Sequence, residues 1–309
     1  MIYDVRQLHN RHIAMLSRLL LLNTFLIIST QQVQCRKDVV DKTLMLFAGS
    51  PFGFWGGPYN ETLLDDFVAK LETIRHLVDV VSIPSYFLQD PNDRTSGLSP
   101  APNGDIVNLA LQDAGFRVQP LVGDFYGQNS VERYRYYMTE GREDFIEACV
   151  NEVKRLNLSG LNFDFEPSDC AQYNCSSADA IVFAEFLTQI ERNFSTLGVH
   201  ASVDTGQSIL ASTAYLNESL VSRLITMNTY YDTKSFEIAL PRDIHNDGAD
   251  RFSLGVCPLC FNSSAQDVKS RMDLAIEYGV RHIAYWAGSN IPDIWLNELE
   301  RWKNESLLL

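Results

Sequence analysis

Ser159-Gly160-Leu161-Asn162-Phe163-Asp164-Phe165-Glu166-Pro167 alternates apolar and polar residues at a period of two, the pattern of a strand with unlike faces. Leu161, Phe163 and Phe165 point one way, and Asn162, Asp164 and Glu166 point the other. Lining up three polar groups, two of them carboxylates, on a strand inside a protein is costly. Carboxylates this close also raise one another's pKa, which is how a carboxylic acid keeps its proton near neutrality. A solvent-facing edge strand is the plainer reading, but the phenylalanines behind it and Pro167 after it argue otherwise. The stretch predicts an active-site carboxylate pair.

The elements around it must position that pair. Strand-like segments occur at Thr43–Ala48, Val78–Ile83, Arg117–Val122, Gly160–Phe165, His200–Asp204, Leu224–Tyr230, Phe252–Val256 and His282–Trp286. Helical periods lie between them at Thr62–Leu77, Asp105–Ala114, Arg142–Leu156, Asp179–Leu197 and Ala265–Tyr278, with Asn60 and Ser177 as caps. A short helix fits Thr213–Arg223, a weakly marked one surrounds Phe236–Leu240, and Pro292 opens a last one through Asn304. Strand and helix in repeated alternation predict a single α/β domain, a (β/α)8 TIM barrel; a doubly wound open sheet would alternate in the same way. No Gly-rich phosphate loop and no Pro/Gly/Ser linker interrupts the order.

In a barrel the chemistry sits at the carboxyl ends of the strands. Those ends carry Phe52, Phe54 and Trp55, then Tyr86, Asp124, Asp164 with Glu166, Asp204 with Gln207, then Asn228, Tyr230, Tyr231 and Asp232, and finally Trp286. Carboxylates among flat aromatic side chains suit a sugar-binding cleft, since aromatic faces stack on the apolar faces of pyranose rings.

Composition bounds the partners. The chain has 309 residues, 46% hydrophobic and 21% charged, with a net charge of -14 that disfavours nucleic acid and anionic membrane surfaces. Neutral ligands are the natural class. Arg6, Arg11 and Arg18 precede an apolar run from Leu19 to Ile28 and then small and polar residues to Cys35, an export signal spanning residues 1–35 that is removed. The mature domain is expected over 36–309, with no membrane attachment after signal removal, in a secreted or lysosomal/vacuolar lumen. Seven sequons, at Asn60, Asn157, Asn174, Asn193, Asn217, Asn262 and Asn304, agree with export. Cys170 with Cys175 and Cys257 with Cys260 are spaced to brace loops as disulfides, and Cys149 in an apolar-periodic run reads as a buried free thiol.

The fourth-strand stretch resembles the signature D-G-x-D-x-D-x-E of glycoside hydrolase family 18, the chitinases and their relatives. It stands here as S-G-L-N-F-D-F-E from Ser159 to Glu166. Met227-Asn228-Thr229-Tyr230-Tyr231-Asp232 resembles the family's sixth-strand M-x-Y-D, and Trp286 falls where the family has its eighth-strand tryptophan. The resemblance implies hydrolysis of β-1,4-linked N-acetylglucosamine glycans with retention, the substrate's own N-acetyl oxygen attacking the anomeric carbon. It implies Glu166 as acid and then base, and Asp164 as the group that orients the acetamido. A sixth-strand tyrosine holds the acetamido carbonyl: counting back from the Asp gives Tyr231, counting forward along the strand gives Tyr230, and Tyr230 is preferred. Asn162, Asp204, Asn228, Tyr231 and Trp286 are then expected to bind substrate, with no cofactor and no metal, in a monomer.

Two positions depart from the signature: its first Asp is Ser159 and its second is Asn162. Asn162 cannot take a share of a proton from Asp164, which weakens the coupling of their titrations. Those departures keep open a catalytically silent, chitinase-like lectin. A metal-assisted hydrolase using Asp164, Glu166, Asp204 and Asp232 as oxygen ligands is a further alternative. Only some 25 residues separate the last two strands, too few for a large insertion domain, so an open, shallow cleft is expected.

Overall fold

Branched and aromatic residues at alternate positions give each strand two faces to bury, and the computed structural model resolves them into a curled sheet inside a shell of helices. It describes residues 42–305 apart from 54–56, 91–96, 124–129, 167–169, 171–172, 207, 262, 287 and 289. The proposed export signal, together with Phe54, Trp55, Asp124 and Gln207, lies outside the described residues.

The strands are β1 (Thr43–Phe47), β2 (Val80–Ser82), β3 (Pro84–Leu88), β4 (Leu98–Pro100), β5 (Arg117–Val118) and β6 (Leu121–Gly123). They continue as β7 (Gly160–Asp164), β8 (His200–Thr205), β9 (Arg223–Thr226), β10 (Phe252–Val256) and β11 (His282–Trp286). The sheet order is β4-β3-β6-β7-β8-β9-β10-β11-β1-β2-β5, parallel except for the β3–β4 hairpin. β2 and β3 are halves of one strand broken at Ile83, and β5 and β6 are halves of another broken at Gln119 and Pro120. Pro84 and Pro120 have no N–H to give to a ladder, which accounts for both interruptions. The ladder is open at that seam. Backbone continuity carries the curl past it, helped by hydrogen bonds from Gln119 N–H to the Val81 carbonyl (3.0 Å) and from Leu121 N–H to the Ile83 carbonyl (2.9 Å).

The helices are α1 (Glu61–Thr73), α2 (Gly104–Asp113), α3 (Ser130–Met138), α4 (Arg142–Arg155), α5 (Ser177–Ser195), α6 (Thr213–Leu216), α7 (Thr233–Asp247), α8 (Ala265–Glu277) and α9 (Asp293–Asn304). Asn60 caps α1 through the Leu63 N–H. α5 starts two residues earlier than expected, and its cap is Ser176 rather than Ser177, because Ser176 and Asp179 form a capping box. α7 is far longer than the sequence suggests: Asp232 caps it by accepting from Ser235 N–H, and Pro241 sits inside it. The sixth strand is correspondingly shorter. It stops at Thr226 rather than reaching Tyr230, because the Tyr230 N–H turns back onto the Met227 carbonyl (3.1 Å). α3 and the β3–β4 hairpin are additions that the strand–helix alternation did not predict.

Strand residues that face the helices, such as Leu161, Phe163, Val203, Leu224 and Leu254, join one large core. Met45, Phe47, Val80, Leu121, Ile225 and Ala284 form a separate cluster, with Trp286 against it. These are the strand positions that face inward. The back of β7 is held by rings: Phe163 meets Phe186 edge-on at 5.3 Å, and Phe165 packs on Phe183 at 5.4 Å. A one-residue slip of β7 would put those rings in the barrel, so this packing fixes which side chains point in.

Asp247, at the end of α7, is buried with neither carboxylate oxygen hydrogen-bonded, and burial beside Asp243 raises its pKa to about 7. The folded state then binds more protons than the unfolded one between about pH 4 and 7, so stability falls as pH rises through that window. Asp247→Asn is expected to stabilise the fold above neutrality, by ~4 kcal/mol at most, and to change little at pH ~4. Thermal melts of both proteins at the two pH values check this.

Candidate active site

β7 delivers Asn162 and Asp164 to the inside of the barrel, with Glu166 two residues further on at its mouth. Asp164 is 3% exposed, whereas solvent reaches Glu166. Gly123 pairs laterally with Asp164 from β6 and contributes no side chain there, which leaves the carboxylate room. On its other side lies β8, with Asp204, also 3% exposed, in the inward-facing row above Ser202. The Asn162 amide nitrogen donates to Ser202 Oγ at 2.9 Å, and Gln119 Nε2 reaches the same hydroxyl at 3.0 Å from below. That network fixes the floor under the carboxylates.

Tyr230 enters from the turn after β9. Thr229 Oγ1 donates to the Gly255 carbonyl (2.6 Å) and to that of Thr226 (3.2 Å), which makes the turn tight. Gly255 on β10 makes space for the tyrosine: a Cβ there would stand 2.8 Å from its ring and 2.0 Å from the Thr226 carbonyl oxygen. Arg271, buried on α8 between the rings of Phe236 and Phe261, donates to the backbone carbonyls of Thr229 and Tyr231. The residues on both sides of Tyr230 are thus held from one guanidinium. Trp286 closes β11 half-buried, with its ring 5.0 Å from that of Phe47.

The electrostatics tie these groups together. Burial raises the Asp164 pKa well above the carboxylate range, with the negative charges of Asp204 and Glu166 adding to it. Asp204 is raised in the same way by burial and Glu166, while the nearby Asn162 amide pulls the other way. Desolvation raises Glu166 despite its exposure. The Tyr230 phenol is pushed far up by burial and then by Asp204, Asp164 and Glu166, so it stays a hydrogen-bond donor beside all three carboxylates. A donor phenol, an acid with a raised pKa and a buried carboxylate together can protonate a leaving group and stabilise a developing positive charge.

Asp164, Glu166, Asn162, Asp204 and Tyr230 come together; Trp286 shares the same open end of the barrel. Asn228 and Tyr231 do not join them. The Asn228 amide donates to Asp243 on α7 (3.1 Å), and Tyr231 is 50% exposed at the surface. Asp232 is also elsewhere: both its oxygens accept from Ser235, so it does not complete an oxygen-ligand set with the buried carboxylates. Among the described residues no group of three or more acidic, His or Cys side chains is arranged to hold a metal ion. The Cys170–Cys175 disulfide braces the loop between β7 and α5, and Cys257–Cys260 braces the turn after β10. Cys149 is buried and free. Arg271 and Gly255 escaped the sequence reading, because both act across elements.

No protein-family model matches the chain, and no curated protein matches it by sequence. Solved structures do. A chitinase from Chromobacterium violaceum superposes with a TM-score of 0.64 at 12% identity, covering 85% of this chain and 99% of that one. A class V chitinase from Nicotiana tobaccum gives 0.63 at 11% identity, covering 86% and 100%. Catalytic domain 2 of an Ostrinia furnacalis group II chitinase, crystallised with penta-N-acetylchitooctaose, gives 0.53 at 14% identity, covering 71% and 64%. At these identities the likeness is one of fold, and it extends over the whole of the first two neighbours. The chain therefore has the chitinase-type barrel fold of glycoside hydrolase family 18.

Proposed function

We propose that the protein is a glycosidase that hydrolyses β-1,4-linked N-acetylglucosamine glycans with retention, using the substrate's acetamido group as nucleophile. The observation that carries this reading is the convergence of Asp164, Glu166 and Tyr230 at the open end of the barrel. Glu166 gives its proton to the glycosidic oxygen as the acetamido carbonyl oxygen attacks the anomeric carbon from the opposite face. The leaving sugar departs as an alcohol, and Glu166 becomes a carboxylate. Asp164 accepts the acetamido N–H hydrogen bond and balances the positive charge that grows on the oxazolinium. Tyr230 O–H donates to the acetamido oxygen and fixes its approach. Glu166 then takes a proton from water, whose oxygen attacks the same carbon, reopens the ring and restores the acetamido with net retention. Trp286 floors the sugar, and the absence of an insertion domain between β10 and β11 favours short chitooligosaccharides or the core of N-glycans. Two disulfides fit a secreted or lumenal compartment, and Asn60, Asn157, Asn174, Asn193 and Asn304 are exposed for glycosylation.

Release of a fluorescent leaving group from chitobiose and chitotriose glycosides tests the proposal. Saturable sugar binding without release would favour the lectin. The Arg271 clamp adds a prediction. Arg271→Met, which keeps the packed stem, is expected to lower kcat about tenfold. It should have little further effect in a Tyr230→Phe background. Independent losses in that double-mutant cycle would separate Arg271 from Tyr230.

A further inference from the structure

Asn162 stands where the signature has its second carboxylate, and β8 supplies a carboxylate to the same place. Asn162 pairs laterally with Ser202, and Phe163 with Val203. The next step sets Asp164 beside Asp204, with α-carbons about 5 Å apart and both side chains inward. Both residues are 3% exposed. The Asn162 amide nitrogen is near Asp204 but bonds Ser202 Oγ, so neither oxygen of Asp204 has a partner in good hydrogen-bond geometry, and neither Asp164 Oδ1 nor Asn162 Oδ1 has one. The titratable groups facing the pair are Glu166 from the end of β7, which adds negative charge when ionised, and the Tyr230 phenol from the turn after β9, which stays protonated and brings no positive charge. From below stand the neutral Asn162 amide and Ser202 hydroxyl, joined to each other. Two adjacent carboxylates in a buried pocket of unmatched acceptors cannot both stay ionised. One proton between them supplies the missing donor.

We infer that Asp204 is the proton-sharing partner of Asp164: the pair holds one proton, which rests on Asp204 while the ionised Asp164 accepts the acetamido N–H. This rests on the glycosidase reading for its catalytic consequence. Asp204 acts through Asp164 without touching the sugar, so it is a positioning residue, placed on β8 to do what a second carboxylate on β7 would do. The raised pKa values of both groups agree, with Asp204 the larger of the two charges acting on Asp164. The proton passes between two carboxylate oxygens, and no bond to substrate forms or breaks in that transfer.

The test uses the full chain as wild type, Asp204→Asn, Asn162→Asp/Asp204→Asn, Asp164→Asn/Asp204→Asn and the exposed control Asp65→Asn. Native electrophoretic mobility at mildly acidic pH reads the proton without any substrate. If Asp164 and Asp204 share one proton, Asp204→Asn leaves the net charge unchanged, since Asp164 then ionises alone, whereas Asp65→Asn shifts mobility by one charge. Turnover of a chitobiose glycoside reads the consequence. Asp204→Asn is expected to lower kcat ~10–100-fold with little change in KM, and the double variant, which returns a carboxylate to β7, is expected to recover most of that loss. A one-charge shift for Asp204→Asn, or wild-type kcat in that variant, would overturn the inference. So would failure of Asn162→Asp/Asp204→Asn to recover activity while it folds. Unchanged mobility for Asp204→Asn with a one-charge shift for Asp164→Asn/Asp204→Asn, and no turnover by the wild type, would uphold the shared proton and refute the glycosidase reading; no shift in that double variant would mean that both carboxyls are protonated and would overturn the inference.

Discussion

Glu166→Gln is expected to lower kcat ~10²–10⁴-fold while leaving chitotriose binding within a few-fold of the wild type. Gln keeps the shape and the hydrogen-bonding reach of Glu but has no proton to give to the glycosidic oxygen. The environment of Glu166 explains why that proton is available at all. Desolvation raises its pKa even though solvent reaches it, and the carboxyls of Asp164 and Asp204 lie beside it. Because the acid must be protonated, kcat/KM should fall as pH rises through that raised pKa, above the ordinary glutamate range of about 4.3. In Glu166→Gln that alkaline limb should vanish with the activity. Steady-state kinetics across pH, beside calorimetric binding of chitotriose, reads both halves. A variant that turns over at the wild-type rate would remove Glu166 from the chemistry.

Gly160→Ala is expected to cost the fold more than ~4 kcal/mol, the largest stability effect anticipated from a single methyl group here. Gly160 opens β7 with φ +133°, a backbone conformation that an L side chain rarely adopts. A Cβ there would stand 1.8 Å from the carbonyl oxygen of His200, its lateral partner on β8. Backbone cannot step aside as a flexible side chain can, so β7 and β8 would have to part just below the carboxylates. Gly198→Ala makes the comparison: φ is +72° but the surroundings are open, so only the conformational strain of about 1–2 kcal/mol remains. Denaturant unfolding of the two variants should separate them clearly. Equal midpoints would show that β7 and β8 can open to admit a side chain at Gly160.

The β7 motif was legible because a period of two assigns faces without any tertiary information, and the rings of Phe163 and Phe165 then hold that face in place. The strands of the barrel were legible for the same reason. The alternation missed α3 and the β3–β4 hairpin and underrated α7, and it misled where it was carried too far. Extending the sixth strand to Tyr230 put Asn228 at a strand end, whereas the chain turns after Thr226 and ties the Asn228 amide to Asp243. That turn also decides what counting along the sequence could not, placing Tyr230 rather than Tyr231 beside the carboxylates. Asp204 was recognisable as a polar residue at a strand end. Its pairing with Asp164 depends on the register of β8 against β7, which no local pattern encodes. Arg271 and Gly255 contribute through a backbone carbonyl and a missing methyl, both silent in the sequence. The two short-range disulfides were readable from spacing alone.

In the proposed reaction the acetamido group of the substrate is the nucleophile, oriented by Asp164 and Tyr230, while the acid Glu166 protonates the leaving oxygen. The most direct measurement compares wild-type release of one fluorescent leaving group from matched β-1,4 disaccharide glycosides, chitobiose and cellobiose, the second having hydroxyls in place of the acetamido groups. Release is expected from the chitobiose glycoside and none above background from its cellobiose counterpart. Equal release from both, or release from neither, would contradict the proposed reaction.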